Sequence, residues 1–466
     1  MTRTAQLVPL LVAAISVSFS AAAAFRSTSS HPGHLQTLLA EVSRWRERQL
    51  ADPSSHSGRG AAHDLRLNTV LAWLLSFMAA SVSSAGGVGG GSLFLPILNL
   101  VAGLSLKRAA TYSSFMVTGG AASNVLYNLL CTAGRRQAAL IDYEIALRFQ
   151  PFLLLGVSIG VVCNVMFPEW LITVLFSLFL ALCTVKTCRA GVKIWRSESC
   201  GAAPDRSKEP LLPCGGGGDA ENGDHAGSDD RGNGAGEGFP LKDVALLVMV
   251  WLCFFALHVL LGDKHGKGVI MIKPCGVAYW LITLFQLPSA VAFTWYIIYA
   301  KRKKQVVHSH DDDKANLVDS KMETLPSLSF PLVAFVTGAL SGLFGIGGGL
   351  LLNPVLLQIG IPPQTAAATS SFMVLFCASM SMVQFILLGM KGIGEASVYA
   401  GICFIASVVG VVVIERAIRK SGRVSLIVLL VTAIMALSTV IVTCFGAQDV
   451  WMQYTSGAYM GFKLPC

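Results

Sequence analysis

Two glycine clusters are the residues best suited to bind a charged ligand. They read Gly86-Gly-Val-Gly-Gly-Gly91 and Gly345-Ile-Gly-Gly-Gly349, and each lies within an apolar run. Glycine adopts backbone angles that other residues avoid, so the clusters predict helices that break and restart inside a bilayer. The first N–H groups of a restarted helix are unpaired and partly positive, which is the arrangement that binds anions. The residues predicted to bind the anion are Gly89, Gly90, Gly91, Gly347, Gly348 and Gly349.

The breaks themselves are assigned to the glycines and prolines at the edges of the clusters. These residues are Gly86, Gly87, Pro96, Gly345 and Pro354. The alternative interpretation is close packing of helices through small residues, which is common in membranes, and the sequence leaves it open.

Polar side chains follow each glycine cluster and could add donors. Ser113 and Ser114 follow the first cluster, and Ser370 and Ser371 follow the second. Their hydroxyls could bind the anion, or they could cap the helices that begin there. Asn353 lies one turn after Gly349 and could reach the anion through its amide. Candidates of second rank, on the same predicted helices as the serines, are Asn124, Tyr127 and Gln384.

The titratable residues within or beside apolar runs are few. Asp142 and Glu144 precede a span near Arg148, which favours an interfacial ion pair over proton coupling. His258 lies well inside a span, where a hydrogen-bonded core histidine is favoured over a proton relay. The cysteines form no Cys-x-x-Cys pair and no hydrolase motif occurs, so no metal, cofactor or catalytic residue is expected.

The elements that carry these residues are membrane spans. The chain has 466 residues, of which 53% are hydrophobic and 13% charged, with a mean hydropathy of +0.62. Soluble domains are about 25% charged. The net charge of +9 comes largely from basic residues at the ends of apolar runs. That pattern indicates cytoplasmic loops and not nucleic-acid binding. Full spans are predicted at roughly 67–84, 108–131, 147–166, 169–188, 241–262, 276–300, 329–345, 366–390, 397–415 and 424–446.

The predicted organisation has eight segments. The first two are a signal peptide at 1–24, favoured over an extra first span, and a polar lumenal or extracellular segment at 25–66. A first transmembrane repeat follows at 67–195, then a disordered glycine-rich cytoplasmic linker at 196–240. The remaining segments are two connecting spans at 241–300, a charged cytoplasmic loop at 301–328, a second repeat at 329–446 and a tail at 447–466. A signal peptide implies a secretory-pathway or plasma membrane.

An internal repeat relates the two halves. Ser83–Pro96 followed by Tyr112–Val117 recurs as Ser341–Pro354 followed by Thr369–Val374, with the order preserved. The basic loops at 301–304 and 416–423 are both cytoplasmic only if a short segment near 350–360 crosses separately. Applied by repeat symmetry to a short segment near 92–104 as well, this predicts an all-α polytopic protein with two inverted repeats, broken helices, about ten full spans and two short half-helices. Such an architecture is typical of secondary transporters.

At this point the sequence resembles the TauE/SafE sulfite exporter family, in its plant-type branch. The motifs that carry the resemblance are Gly86–Gly91, Phe94–Pro96, Leu140–Tyr143, Gln150-Pro151, Asn164–Pro168, Cys275–Trp280, Leu343–Gly349, Gly360–Pro363 and Thr369–Val374. The resemblance implies a permease for small sulfur-containing or organic anions, coupled to an ion gradient. The linker at 201–238 is richer in glycine than the family pattern.

The expected partners are a small anion, membrane lipid and a proton as the candidate coupling ion. Two other functions stay open, an anion channel and a membrane scaffold or trafficking factor without transport. The substrate, the direction of transport and the oligomeric state do not follow from the sequence.

Overall fold

The computed structural model describes residues 59–85, 90–133, 141–199, 241–261, 277–308, 329–359, 361, 363–390, 392–421, 425–455 and 461. Within these ranges the chain forms twelve α-helices and no strand. The first half comprises α1 (Arg59–Ala85), α2 (Gly91–Leu100), α3 (Leu106–Ala133), α4 (Tyr143–Met166) and α5 (Glu169–Ser199). Two connecting helices follow, α6 (Leu241–Leu261) and α7 (Val277–His308). The second half comprises α8 (Ser329–Phe344), α9 (Gly349–Ile359), α10 (Pro363–Leu387), α11 (Ile393–Ser421) and α12 (Ser425–Thr455).

The helix bounds lie close to the predicted spans at most ends and extend well past them at five. α1 begins at Arg59, within the predicted polar segment, and α11 continues to Ser421, through the predicted basic loop. α5, α7 and α12 continue to Ser199, His308 and Thr455, where the sequence predicts linker, loop and tail. Hydropathy sets a span's end at the first polar residues, but Lys, Arg and Gln are good helix formers, so the helix itself continues. The predicted signal peptide, most of the polar segment and the glycine-rich linker lie outside the described residues.

Six of these helices are long and apolar enough to cross a membrane. They contain the spans Tyr143–Met166, Glu169–Arg189, Lys242–Leu260, Leu281–Ala300, Thr365–Leu387 and Ile393–Val413. Shorter apolar stretches occupy α1, α2, α8 and α12. The chain is therefore an all-helical, multi-pass membrane protein, and the number of ten full spans stays a prediction.

The closest helix packing joins α4 to α8. A side-chain carbon placed on Gly156, Gly160, Gly338 or Gly342 would overlap backbone atoms of the facing helix. Small residues let two helix backbones approach until dispersion contacts form along their whole length, the usual way that membrane helices associate. These four glycines therefore let α4 and α8 pack closely, and close packing also occurs at the glycine clusters, where Gly91 and Gly345 lie against the backbone of Ile346 and Ala110.

The pair equivalent to α4 and α8, with the roles of the two halves exchanged, is α11 with α1. Ser81 Oγ donates to the Ala406 carbonyl at 3.0 Å, and Ser84 Oγ donates to Ser407 Oγ at 2.6 Å. The first helix of each half therefore packs against the fourth helix of the other half. The halves also pack through α3 with α10 and through α5 with α12. This exchange of partners brings Gly91 of the first cluster against Ile346 of the second.

Candidate functional site

We name the two glycine clusters the glycine segments. The described end of the first segment, Gly90-Gly91, contacts the second segment. α2 begins at Gly91 and α9 begins at Gly349, so each short helix starts at the last glycine of its cluster. A side-chain carbon on Gly91 would overlap the backbone of Ile346, which places the first segment in contact with the second. Every residue from Ser341 to Leu350 is buried. The starts of the two short helices therefore share one interior region.

Positive φ angles explain why glycine occupies the second segment. Gly347 and Gly348 have φ angles of 73° and 78°, in the left-handed region that side chains with a Cβ rarely adopt. The chain turns there from the end of α8 at Phe344 into the start of α9. In the first segment, Gly90 has a φ of 70°, while Gly86, Gly87 and Gly89 lie outside the described residues.

The prolines assigned to helix breaks lie elsewhere. Pro96 and Pro354 are each inside a short helix, at its sixth residue, and the helix continues through both. That assignment is wrong because a membrane helix tolerates proline where neighbouring groups satisfy the freed carbonyl. In the second half the non-helical residues between α8 and α9 are Gly345–Gly348.

The meeting point lies between α3 and α10. A side-chain carbon on Gly347 would overlap Val117 and would lie 2.9 Å from Val374 Cγ1. These valines end the two Ser-Ser-Phe-Met-Val motifs and are equivalent in the repeat. Each motif therefore packs one side of the same glycine.

The four serines of these motifs do not cap helices. Ser113 and Ser370 are each the eighth residue of their helix, because α3 begins at Leu106 and α10 at Pro363. Ser113 Oγ donates to the Gly345 carbonyl at 2.8 Å, so it holds the glycine segment of the other half. Ser114 and Ser370 donate to the carbonyls of Ala110 and Ala367 within their own helices. Ser371 is buried beside them.

Two further serines, which the sequence did not single out as ligands, lie close to the glycines that precede the helix starts. Ser83 Oγ would lie 2.7 Å from a side-chain carbon on Gly90, and Ser341 Oγ 3.7 Å from one on Gly348. Ser83 donates to the Ala80 carbonyl at 3.2 Å. The signal for them was the repeat itself, because serine stands at the same offset from each glycine cluster.

Ser341 is distinctive because its hydroxyl lacks a partner. It is 0% exposed, and its Oγ has no hydrogen-bond partner within the described parts of the chain. Leaving a buried hydroxyl unpaired costs about 1–3 kcal/mol. In α9 the N–H groups of Leu351 and Leu352 both bond to the Gly348 carbonyl, and those before them point out of the helix end. A buried hydroxyl beside free N–H groups is a set of donors that suits a small anion.

The remaining candidates divide between the glycine segments and a separate cluster. Asn353 lies in α9, four residues after Gly349, and is partly buried. Asn124 is buried in α3, where its Oδ1 has no hydrogen-bond partner among the described residues, and Tyr127 is partly buried in the same helix. Gln384 lies away from the glycine segments, because its Nε2 is 3.1 Å from His258 Nε2 and 3.3 Å from Ser158 Oγ. His258 is thus a hydrogen-bonded core residue, as the sequence favoured.

The acidic residues Asp142 and Glu144 stabilise the first turn of α4. Asp142 caps the helix, its Oδ1 accepting from the N–H groups of Glu144 and Ile145 at 3.0 and 3.1 Å. Glu144 pairs with Arg148 at 2.9 Å. The predicted ion pair is therefore formed by Glu144 with Arg148, while Asp142 acts as the cap, and the position of the pair at the membrane interface stays a prediction. An exposed pair of this kind is worth about 0–1 kcal/mol.

Comparison with known proteins identifies relatives along most of the chain. The family described as Sulfite exporter TauE/SafE matches residues 3–187, 72–218 and 244–439. Sulfite exporter TauE/SafE family protein 5 of Arabidopsis thaliana is 44% identical over 454 residues, covering 93% of this chain and 94% of that protein. Sulfite exporter TauE/SafE family protein 1 of the same plant is 45% identical over 416 residues, covering 86% and 89%.

A shorter match comes from a bacterium. The "Probable membrane transporter protein YunE" of Bacillus subtilis is 35% identical over 82 residues, covering 17% of this chain and 29% of that protein. No solved structure matches the chain.

Proposed function

This chain belongs to the sulfite exporter TauE/SafE family of membrane transporters, and from that premise we propose that it is a secondary transporter of small anions of the sulfite and sulfonate class. The anion binds where the two glycine segments meet. The observation that carries this proposal is the unpaired, fully buried Ser341 hydroxyl beside the start of α9. A bound oxyanion would accept from this hydroxyl and from the N–H groups at the helix start.

The helix directions support an inverted relation between the two halves. α4 and α8 run the same way, because Phe149 contacts Phe330 near their starts and Asn164 bonds Leu343 near their ends. α1 and α11 also run the same way, because Trp73 contacts Tyr399 and Ser84 bonds Ser407 further along.

α3 follows the direction of α11. Tyr112 bonds Glu395 near the start of both helices, and Gly119 contacts Ala400 further along. α1, α3 and α11 thus share one direction, while α4 and α8 share another. Because α3 and α4 are consecutive spans and cross in opposite senses, α1 and α8 cross in opposite senses too. The halves then enter from opposite faces, as alternating access between related repeats requires.

In the transport cycle the contacts between the halves rearrange while the glycine segments stay at the centre. The Ser113–Gly345 hydrogen bond joins α3 to the glycine segment of the second half, so movement of one half relative to the other would shift the backbone of the anion site. The anion is then exposed first to one face and later to the other.

The proposal is tested by uptake into vesicles that contain the purified protein. Labelled sulfite, sulfate and methanesulfonate are presented with and without a pH gradient. A secondary transporter gives saturable uptake of at least one anion and exchanges it for unlabelled anion inside. Flux that rises linearly with concentration and shows no exchange supports the channel instead. Absence of flux for all three anions, with the protein correctly folded, supports the scaffold.

A further inference from the structure

A set of buried polar side chains lies outside the glycine segments, and we name it the histidine cluster. It consists of Ser158 in α4, His258 in α6, Gln286 in α7 and Gln384 in α10. The imidazole Nε2 lies 2.8 Å from Ser158 Oγ, 3.1 Å from Gln384 Nε2 and 3.4 Å from Gln286 Nε2. Three polar groups from three helices thus converge on one ring nitrogen.

Among the described side chains, the hydrogen-bond partners of this imidazole carry no charge. Its partners on the three helices packed against α6 are a hydroxyl and two amides. Along α6, the charged residues Lys242 and Asp243 lie about 22 Å or more away by helix rise. On α4 the charged residues Glu144 and Arg148 precede Ser158 by ten residues or more, and α10 contains none. Among the side chains that the structure describes on these helices, the nearest other titratable groups are Cys163, Cys253, Tyr296, Tyr299 and Cys377, each five or more residues from its cluster member.

The cluster fits a neutral imidazole with Nε2 as acceptor. Amide nitrogens can only donate, and Nε2 of a neutral ring has one lone pair, so the Gln384 and Gln286 amides share it as longer contacts with the Ser158 hydroxyl, which is the nearest donor at 2.8 Å. The Ser158 hydroxyl has one proton and two acceptors within reach, His258 Nε2 at 2.8 Å and the Leu154 carbonyl at 3.0 Å. With a neutral ring, the hydroxyl donates to the imidazole.

Proton binding would reverse these hydrogen bonds. A proton on Nε2 turns the acceptor into a donor, which Ser158 Oγ accepts while its own proton passes to the Leu154 carbonyl. The amide nitrogens of Gln286 and Gln384 then face an N–H group and must withdraw or turn their oxygens inward. These amides belong to α7, a connecting helix, and to α10, a helix of the second half. Binding of one proton therefore changes the hydrogen bonds between the connecting helices and the second half.

We propose that His258 is the binding site of the proton that drives anion transport, and that the histidine cluster transmits its protonation to α4 and α10. This inference rests on the proposed function. α10 also carries Val374, which packs against Gly347 at the meeting point of the glycine segments. The same helix therefore joins the proton site to the anion site. The proton enters from water on one face and leaves to the other, and no other group is consumed.

The test compares His258→Gln with the wild type in the same vesicles. Glutamine keeps hydrogen-bonding capacity and cannot titrate near neutrality. The probes are labelled sulfate and methanesulfonate, which stay ionised, so that a pH gradient acts on the protein alone. One assay measures exchange without a gradient, and the other measures accumulation driven by a gradient, with a pH-sensitive dye inside. The variant should keep exchange and lose both gradient-driven accumulation and the accompanying proton movement.

The outcomes separate this proposal from the transporter itself. Gradient-driven accumulation with proton movement in His258→Gln overturns the role of His258, and so does a wild type that exchanges anions but ignores the gradient. A wild type that does not exchange anions overturns the transporter itself.

A second variant decides the matter if His258→Gln does not fold. Gln384→Glu preserves shape and places a carboxylate beside Nε2, which favours the imidazolium and should raise the pH midpoint of uptake by about one to three units. An unchanged midpoint in a folded Gln384→Glu variant overturns the proposal.

Discussion

Removing the Ser341 hydroxyl should weaken anion binding without weakening the fold. The hydroxyl is fully buried and unpaired beside the start of α9, so in the empty protein it stabilises nothing. Replacing an unpaired buried polar group by an apolar one of similar shape is neutral or stabilising. Ser341→Ala should therefore keep or raise the thermal unfolding temperature of the purified protein.

The effect on affinity has the opposite sign. A hydrogen bond to a charged group contributes about 1.5–3 kcal/mol. At 1.4 kcal/mol per factor of ten, Ser341→Ala should raise the KM for anion uptake by roughly 10- to 150-fold. Ser83→Ala should have a smaller effect, because Ser83 already donates to the Ala80 carbonyl.

Ser76→Ala provides the matched control. Ser76 is also 0% exposed and its hydroxyl has no partner within the described residues. It lies in α1, seven residues before Ser83, or about 10 Å along the helix. KM is measured for all three variants in vesicles with equal amounts of folded protein. An unchanged KM in Ser341→Ala, or an equal rise in Ser76→Ala, would refute the reasoning.

Two further predictions concern the glycine segments and the topology. Gly348→Val and Gly90→Val should abolish anion flux while the protein still reaches the membrane. The reason is that a β-branched residue does not tolerate φ angles of 78° and 70°. Wild-type flux in both variants would exclude the broken helices as the anion site. Gly401→Ala, where nothing lies within 4 Å of the added carbon, is the control and should retain flux. Single cysteines in place of Arg302 and Lys420 should both react with an impermeant thiol reagent from the cytoplasmic side, and labelling from opposite sides would contradict the inverted repeats.

The helices and the short broken segments could be predicted from the sequence, because hydropathy and glycine clusters report on local structure. The segments predicted near 92–104 and 350–360 correspond to α2 and α9. α2 ends earlier, at Leu100, and the chain turns at Gly103, which has a φ of 65°. Hydropathy could not show this end, because the residues after it are as apolar as those before it.

The site was less predictable because its contacts join distant parts of the chain. Ser113 was a candidate ligand or cap, and its actual partner is the Gly345 carbonyl, 232 residues away. Gln384 was grouped with the serines because they share α10, but it points to His258 from the connecting helices. Which face of a helix meets which neighbour depends on the exchanged packing of the halves, and helical periodicity alone does not determine that exchange.

The central claim is that a small anion binds where the two glycine segments meet, and the most direct test is to locate the anion there. Selenate shares the shape and charge of sulfate and can be found by its anomalous scattering in crystals of the protein, once it is shown to compete with labelled anion for uptake. The account predicts an anomalous peak within hydrogen-bond distance of Ser341 Oγ and the first N–H groups of α9. A competing selenate whose peak lies elsewhere in the protein would contradict it.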